Sequence, residues 1–310
     1  MAEYEGCHQS VLLRSSVESL VLHPDGVYVD GTYGRGGHSK AILNQLSAKA
    51  KLLVFDQDIE AIEAAKRAQL EDERILVFHC NFRRMKQEIE RYGVLGEVNG
   101  LLLDIGVSSP QLDTPERGFS IQHLGPLDMR MNNQQGVTAL QWLKESRVEE
   151  IRQALKSFAD VRYAGKWARL IQERVLDGTV KSTYDLAGLV EQNMPKKIQL
   201  QMNVHPATKI FQAIRIAVNK EIEALEECLR SAGEILCQGG RLVVISFHSV
   251  EHRLLRKFAR GDSQNLPRNL PTMMSNDWEI VQLLGYPEDS EVQSNRRARS
   301  ARLTVLQKLG

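Results

Sequence analysis

Val27-Tyr28-Val29-Asp30-Gly31-Thr32-Tyr33-Gly34-Arg35-Gly36-Gly37-His38-Ser39 is the stretch on which the fold turns. Its first residues form a short β-prone apolar run that ends in a carboxylate, the pattern of a strand covered on both faces. The glycines that follow let the backbone turn sharply and leave room for a ligand against the chain. Helix period then runs from His38 to Leu46, so the amides of a first helical turn flank that space and favour anionic or polar groups. The dinucleotide fingerprint G-x-G-x-x-G requires a third glycine where Ser39 stands, so the match is incomplete and a plain tight turn is the alternative.

Three more apolar runs continue the pattern outward: KLLVFD from Lys51, ILVFH from Ile75 and GLLLD from Gly100. Counting from Val27, the runs begin 24, 24 and 25 residues apart, with helix-period segments at Asp58–Leu70 and Phe82–Tyr92 between them. Strand and helix alternating at this period predict an α/β fold with a parallel, Rossmann-like sheet. Such a sheet binds its ligand at the carboxyl ends of the strands. The rhythm then stops. The next strand, Arg241–Phe247, begins 141 residues after Gly100, far more than one crossover needs. Helix-period segments fill the gap at Thr138–Lys144, Arg147–Phe158, Ala164–Leu176 and Ser182–Asn193, and a long stretch from Pro206 to Cys237 leads back. The expectation is a discontinuous α/β domain, residues 1–111 and 206–310, carrying an inserted all-helical domain over 112–205. A helix at Val250–Ala259, a Pro-rich polar stretch from Gly261 to Asn276 and a last strand at Ala301–Leu306 complete it.

The 310 residues suit about two domains. Forty Lys and Arg against 39 Asp and Glu exclude a global polycation, so any nucleic-acid contact falls to local basic patches. Cys7, Cys80, Cys228 and Cys237 form no Cys-x-x-Cys, which argues against a zinc site or disulfide framework and for a reducing compartment. The N-terminus has no basic stretch before an apolar run, and no apolar run of membrane-spanning length occurs. A soluble, cytoplasmic protein without membrane association is expected.

Asp56 ends the second run, 20 residues after Gly36, where a carboxylate can accept both ribose hydroxyls of a nucleoside. Asp58 competes for that role, but its position suits a helix cap. Asn81-Phe82 after the third run can flank an adenine or simply start a helix. These features describe an adenosine-containing cofactor and do not separate a nicotinamide dinucleotide from S-adenosylmethionine. The fourth run continues as Asp104-Ile105-Gly106-Val107-Ser108-Ser109-Pro110-Gln111-Leu112-Asp113. Amino-directed methyltransferases carry an Asp/Asn-Pro-Pro-aromatic turn at this place, and Ser109-Pro110-Gln111 resembles a variant of it; a Pro turn that merely ends a strand is the alternative. An amine conjugated to a base ring is a poor nucleophile. Rigid, preorganised oxygen acceptors around its N–H groups favour a pyramidal nitrogen as a methyl group arrives.

Taken in order, the motifs His8–Leu13, Asp30–Ser39, Leu103–Asp113, Arg117–Ser120, Gly125–Met131, His205–Thr208, Gln212–Asn219, Gly239–Ser249 and Arg299–Ala301 resemble the bacterial small-subunit (16S) ribosomal RNA cytosine-N4 methyltransferase family (MraW/RsmH). The resemblance runs nearly end to end. Tyr33, His252 and Lys166 depart from the pattern, where Phe, Asp and Arg are expected, and none of them is a residue assigned to the cofactor. The resemblance implies a class I methyltransferase sheet with an inserted RNA-recognition domain. It implies S-adenosylmethionine as methyl donor and a decoding-centre cytidine of 16S ribosomal RNA in the small subunit as acceptor. Gly36, Gly37, His38, Asp56, Phe82, Asp104 and Gln111 are then expected at the cofactor, with Gly34 of the same turn. Asp104, Ser109 and Pro110 fall to the target amine, and no metal is required because the amine attacks directly.

His248, after the fifth strand, is a candidate for the target base or a phosphate, against a structural, hydrogen-bonded histidine. Asp128, Arg130 and Met131 suit either a loop over the site or a salt bridge joining domains. Arg296, Arg297, Arg299 and Arg302 form the first-choice RNA-binding patch, with Arg253, Arg256, Lys257 and Arg260 second. Trp142, Trp167 and Trp278 read as core or hinge residues. The oligomeric state stays open between a monomer and a homodimer.

Overall fold

The structure is a computed structural model that describes residues 10–202, 204–261 and 277–310. His8 and Gln9 of the first motif, Cys7 and most of the Pro-rich polar stretch lie outside the described residues. The chain divides into two compact units, residues 1–106 with 224–310 and residues 107–223.

The first unit is built on seven strands: β1 (Val27–Asp30), β2 (Lys51–Asp56), β3 (Ile75–His79), β4 (Val98–Asp104), β5 (Leu236–Ser246), β6 (Trp278–Gly285) and β7 (Arg302–Lys308). They lie in the order β3-β2-β1-β4-β5-β7-β6. Neighbours from β3 to β5 are parallel, whereas β7 is antiparallel to β5 and β6 is antiparallel to β7. This is the expected Rossmann-like α/β architecture, with an antiparallel return at one edge.

Alternate residues of each central strand feed opposite faces, as the two-residue repeat of a strand dictates. Tyr28, Leu52, Val54, Leu102, Val243 and Ile245 belong to one buried cluster. Val29, Leu53, Phe55, Leu101, Leu103 and Val244 belong to the other. Helices such as Gly37–Leu43 and Ile59–Glu71 supply the first cluster, and Met85–Tyr92 and Ser249–Ala259 the second. Each fully buried aliphatic side chain contributes about 1.5–3 kcal/mol by leaving water, so burial on both faces accounts for the near-continuous apolar runs.

Two strands differ from the sequence reading. β5 starts at Leu236, because an irregular register between Val98 and Gly100, with Gly239 at φ 75°, carries pairing back before Arg241. β6 was not expected at all. It is an edge strand with Glu279, Ile280, Val281 and Gln282 exposed, so no one-sided burial imposes an alternating pattern on it. Trp278 at its start packs on Phe258, ring centroids 5.6 Å apart.

The second unit is helical. Ala139–Glu145, Val148–Ala159, Ala164–Leu176, Thr183–Asn193 and Thr208–Asn219 are its main helices. Their starts are written locally: Thr138 accepts from the amide of Gln141, and Ser182 accepts from that of Asp185. The unit extends past the expected edge at 205 because Ala207, Ile210, Phe211, Ala213 and Ile214 share a core with Ile151, Trp167 and Ile171. The stretch from Pro206 to Cys237 is broken at Lys220, where φ is 52°, and the next helix begins at Glu221. A buried bidentate pair, Arg215 to Glu221 at 2.8 and 2.9 Å, braces the break.

Candidate active site at the carboxyl rim of the sheet

The rim starts with the glycine turn. Gly34 and Gly36 hold φ at 54° and 76°, a region that a side chain strains. A Cβ on Gly36 would come within 2.5 Å of the Tyr33 hydroxyl, and one on Gly37 within 2.1 Å of the Ser10 hydroxyl. At Gly34, by contrast, the nearest atom would be the Thr32 carbonyl at 3.9 Å, so the turn is open on that side. Three hydrogen bonds tie the turn to its neighbours. Thr32 Oγ1 accepts from the Asp104 amide at 2.7 Å, the Tyr33 amide donates to the Phe55 carbonyl at 3.0 Å, and the Gly34 amide donates to Asp56 Oδ2 at 2.8 Å.

Asp56 takes its second backbone bond, from the Asp58 amide to Oδ1, at 2.9 Å. Each carboxylate oxygen carries two lone-pair sites, so one amide on each leaves an acceptor site per oxygen, which suits two vicinal hydroxyls. Burial pushes Asp56 up to about 6 against those amides. Asp58 starts the helix Ile59–Glu71 and accepts from the Glu60 amide at 3.1 Å, which makes it the cap and leaves Asp56 as the ribose candidate. Asn81 likewise caps a single turn, Phe82–Arg84, accepting from the Arg83 amide and donating to Gln57. Phe82 is partly buried against the sheet core.

Asp30, His38 and Asp104 form a second cluster. Asp30 is fully buried, accepts from Ser39 Oγ at 2.6 Å and from the Thr32 amide at 3.1 Å, and is pushed up by that burial. His38 Nε2 lies 3.1 Å from the Val11 carbonyl. A carbonyl can only accept, so Nε2 carries the proton. His38 Nδ1 then faces Asp104 Oδ2 at 3.7 Å, close enough for charge to be felt and too long for a hydrogen bond. Burial pushes Asp104 up to about 6, opposed by His38 and reinforced by Asp30. Sequence reasoning passed over Asp30 and Thr32 as working residues, although both stand in the turn it singled out.

In the helical unit, Ser108 precedes the short helix Ser109–Asp113, with Pro110 in its first turn. The Ser108 amide donates to Gln111 Oε1 at 3.0 Å, so Gln111 closes a capping box as well as being a cofactor candidate, and it is buried with Ser109. Asp128 and Arg130 pair with each other at 2.7 Å, and Asn219 holds the buried Met131 by its amide, so this segment is braced inside its own unit. His205 pairs with Glu191 at 2.7 Å. Trp167 is core in this unit, and Trp142 packs partly buried against the same core.

His248 ends the run out of β5 and caps the helix Ser249–Ala259, its amide donating to Glu251 at 3.0 Å. Arg297 and Arg299 are exposed and Arg302 is partly buried; the side chain of Arg296 lies outside the described residues. No helix among the described residues is long and apolar enough to cross a membrane.

Residues 5–309 match the model of the MraW methylase family. The chain belongs to that family. Among its relatives is the ribosomal RNA small subunit methyltransferase H of Thioalkalivibrio sulfidiphilus, 44% identical over 308 residues and covering 97% of both chains. The protein of the same name from Coxiella burnetii is 42% identical over 306 residues, 97% of this chain and 99% of that one. A looser likeness is to the crystal structure of an rRNA methylase from Streptococcus thermophilus, with a TM-score of 0.40, 11% identity, and coverage of 95% of this chain and 92% of that one. Family membership accounts for the nine separated motifs at once, since they belong to one methylase sequence rather than to nine local accidents.

Proposed function

We propose that this protein is a methyltransferase of the small-subunit ribosomal RNA that acts on the exocyclic N4 amine of a decoding-centre cytidine in 16S RNA. Membership of a methylase family and the naming of its relatives support the coarser part, methylation of small-subunit ribosomal RNA. The carrying observation for the site is Asp56: a carboxylate at the end of β2 with one backbone amide on each oxygen, beside a glycine turn open at Gly34. This arrangement fits the ribose of an adenosine-type cofactor.

S-adenosylmethionine, when bound, supplies an activated methyl group for direct in-line attack by the amine nitrogen. The chain's own residues do the rest. Asp56 accepts the ribose hydroxyls; Gly34, Gly36, Gly37 and His38 shape the turn beside them; Phe82 lies along the adenine; Asp104 and Gln111 complete the cofactor site. The carbonyls of Ser109 and Pro110 and the carboxylate of Asp104 accept hydrogen bonds from the target amine and hold its lone pair toward the donor, and the Asp104 carboxylate takes up the proton the nitrogen sheds. Holding the reacting atoms about 3–3.5 Å apart supplies much of the acceleration. His248 faces the base or its phosphate. The base leaves its stack to reach the rim, while the helical unit and the Arg296, Arg297, Arg299 and Arg302 cluster hold folded RNA by its shape and phosphates. The protein is cytoplasmic, where its RNA is.

The test is mass spectrometry of 16S RNA from a strain lacking the gene and from the same strain complemented. The expected result is loss and restoration of N4-methylcytidine, and an unchanged level in the deletion strain would reject the proposal.

A further inference from the structure

The antiparallel return at the sheet edge brings together residues that the chain keeps apart. β7 begins where β5 ends, with Arg302 opposite Ser246, and β6 finishes beside that point, with Gly285 opposite Leu303. The start of β7 and the ends of β5 and β6 therefore lie on the same rim as Asp104 of β4, which is opposite Ile245 of β5. Tyr286 follows β6 directly, and the Arg302 guanidinium sits over its ring at 3.7 Å from the centroid. With that guanidinium in place Tyr286 is still 76% exposed. An aromatic side chain of this size is a costly thing to leave in water.

The backbone around it is held. Leu284 takes φ 53°, and a Cβ on Gly285 would fall 1.7 Å from the Gln282 side chain, so the chain turns tightly out of β6. Pro287 follows, which biases Tyr286 to extended backbone. Basic residues of two segments lie on this part of the rim. Arg302 and Arg256 both lie close enough to the half-buried His252 to lower its pKa, after the larger effect of burial. The charges of both basic patches that the sequence keeps apart therefore reach His252, and the Arg302 guanidinium donates to the carbonyl of exposed Arg299 at 3.4 Å. Of the acidic residues that follow Tyr286, Glu291 is engaged by the Leu12 amide.

We propose that Tyr286, backed by Arg302, is a base-stacking platform for a nucleotide of single-stranded RNA flanking the target cytidine. The proposal rests on the RNA-methylating role above. Bases stack on aromatic rings, and here the guanidinium covers one face of a ring that is still largely exposed, which leaves the other face for a base. Arg302 lies two strands from Asp104, ~10 Å at ordinary strand spacing, so the nucleotide it serves is a near neighbour of the methylated one. Arg302 belongs to the basic patch recognisable in the sequence; Tyr286 does not, and nothing in the family pattern called for it.

The experiment measures binding of a fluorescently labelled, unstructured RNA decamer to the full chain by anisotropy across a salt series. Melting temperature and calorimetric S-adenosylmethionine affinity are measured on the same samples. Tyr286→Ala is expected to weaken RNA binding about tenfold, within the range of one lost base stack. Tyr286→Phe is expected to keep it within about twofold, because stacking needs the ring and not the hydroxyl. The salt dependence and cofactor affinity should not change, since no phosphate contact is removed. A wild type that does not bind the decamer, an alanine variant that binds normally, or one that only melts earlier overturns the platform. If the wild type transfers no methyl group to small subunits while Tyr286→Ala still loses RNA affinity, the enzymatic reading fails and the platform stands.

Discussion

One sheet edge carries two opposite kinds of chemistry. On β1, β2 and β4 the rim is acidic: Asp30 is buried, Asp56 and Asp104 are partly buried beside a glycine turn, and loss of solvent pushes all three upward. On β5, β7 and β6 the rim is basic, with Arg302 over the Tyr286 ring and the charges of Arg302 and Arg256 felt at His252. The acidic half suits a small polar ligand whose hydroxyls need acceptors. The basic half suits a polyanion. A net charge of +1 hides this division, which teaches that charge balance over a whole chain says little about what each half of a site will hold.

Removing the acceptor from the acidic half should give the largest effect. Asp56→Ala takes away the carboxylate proposed to accept two ribose hydroxyls, each such bond being worth about 1.5–3 kcal/mol. Cofactor affinity by calorimetry should fall at least a hundredfold while affinity for single-stranded RNA stays put; loss of both together would mean that the two halves do not work separately. The mirror experiment reverses charge in the basic half. Arg256→Glu with Arg299→Glu should raise the KM for small subunits about tenfold or more and lower the salt dependence of RNA binding by about two phosphate contacts, with cofactor affinity unchanged.

The smallest effect sharpens the comparison through pH. The folded protein holds Asp104 at about 6, above the ordinary aspartate value of 3.8, so between those values the native state binds more protons than the unfolded chain. Stability from this group is therefore full below about pH 4 and is lost as pH rises through 6. Asp104→Asn removes that cost. Its melting temperature should exceed the wild type's by a few degrees at pH 7.5, reflecting roughly 2–3 kcal/mol at most, and the gap should close near pH 4. The same variant should lose methyl transfer. A gap that widened on acidification would show that Asp104 is stabilised as an anion, for instance by a protonated His38.

Much of the acidic half was legible because its parts are neighbours in the chain. A strand ending in Asp, a glycine turn and a cap are each written within a dozen residues, and the rule that ligands sit at strand ends joins them. Asp58 as the helix cap followed from position alone and matches its bond from the Glu60 amide. The basic half was legible only as a list of arginines. β6 carries no alternating pattern because an exposed edge strand has no buried face to demand one. The domain edge was misplaced at 205 for a related reason: Phe211 and Ile214 look equally apolar whichever core they join, and only packing against Ile151 and Trp167 decides.

By itself the sequence determined the strand–helix rhythm, the helix starts, the acidic strand ends and the family, since each rests on residues near one another or on motifs in linear order. Only the tertiary structure decided that Arg302 and Tyr286 meet, and that His38 faces Asp104. Those meetings depend on an antiparallel register and on a helix laid over a neighbouring strand. Pairing across a sheet is set by burial and backbone hydrogen bonding between distant segments, and no local pattern of residue types encodes it.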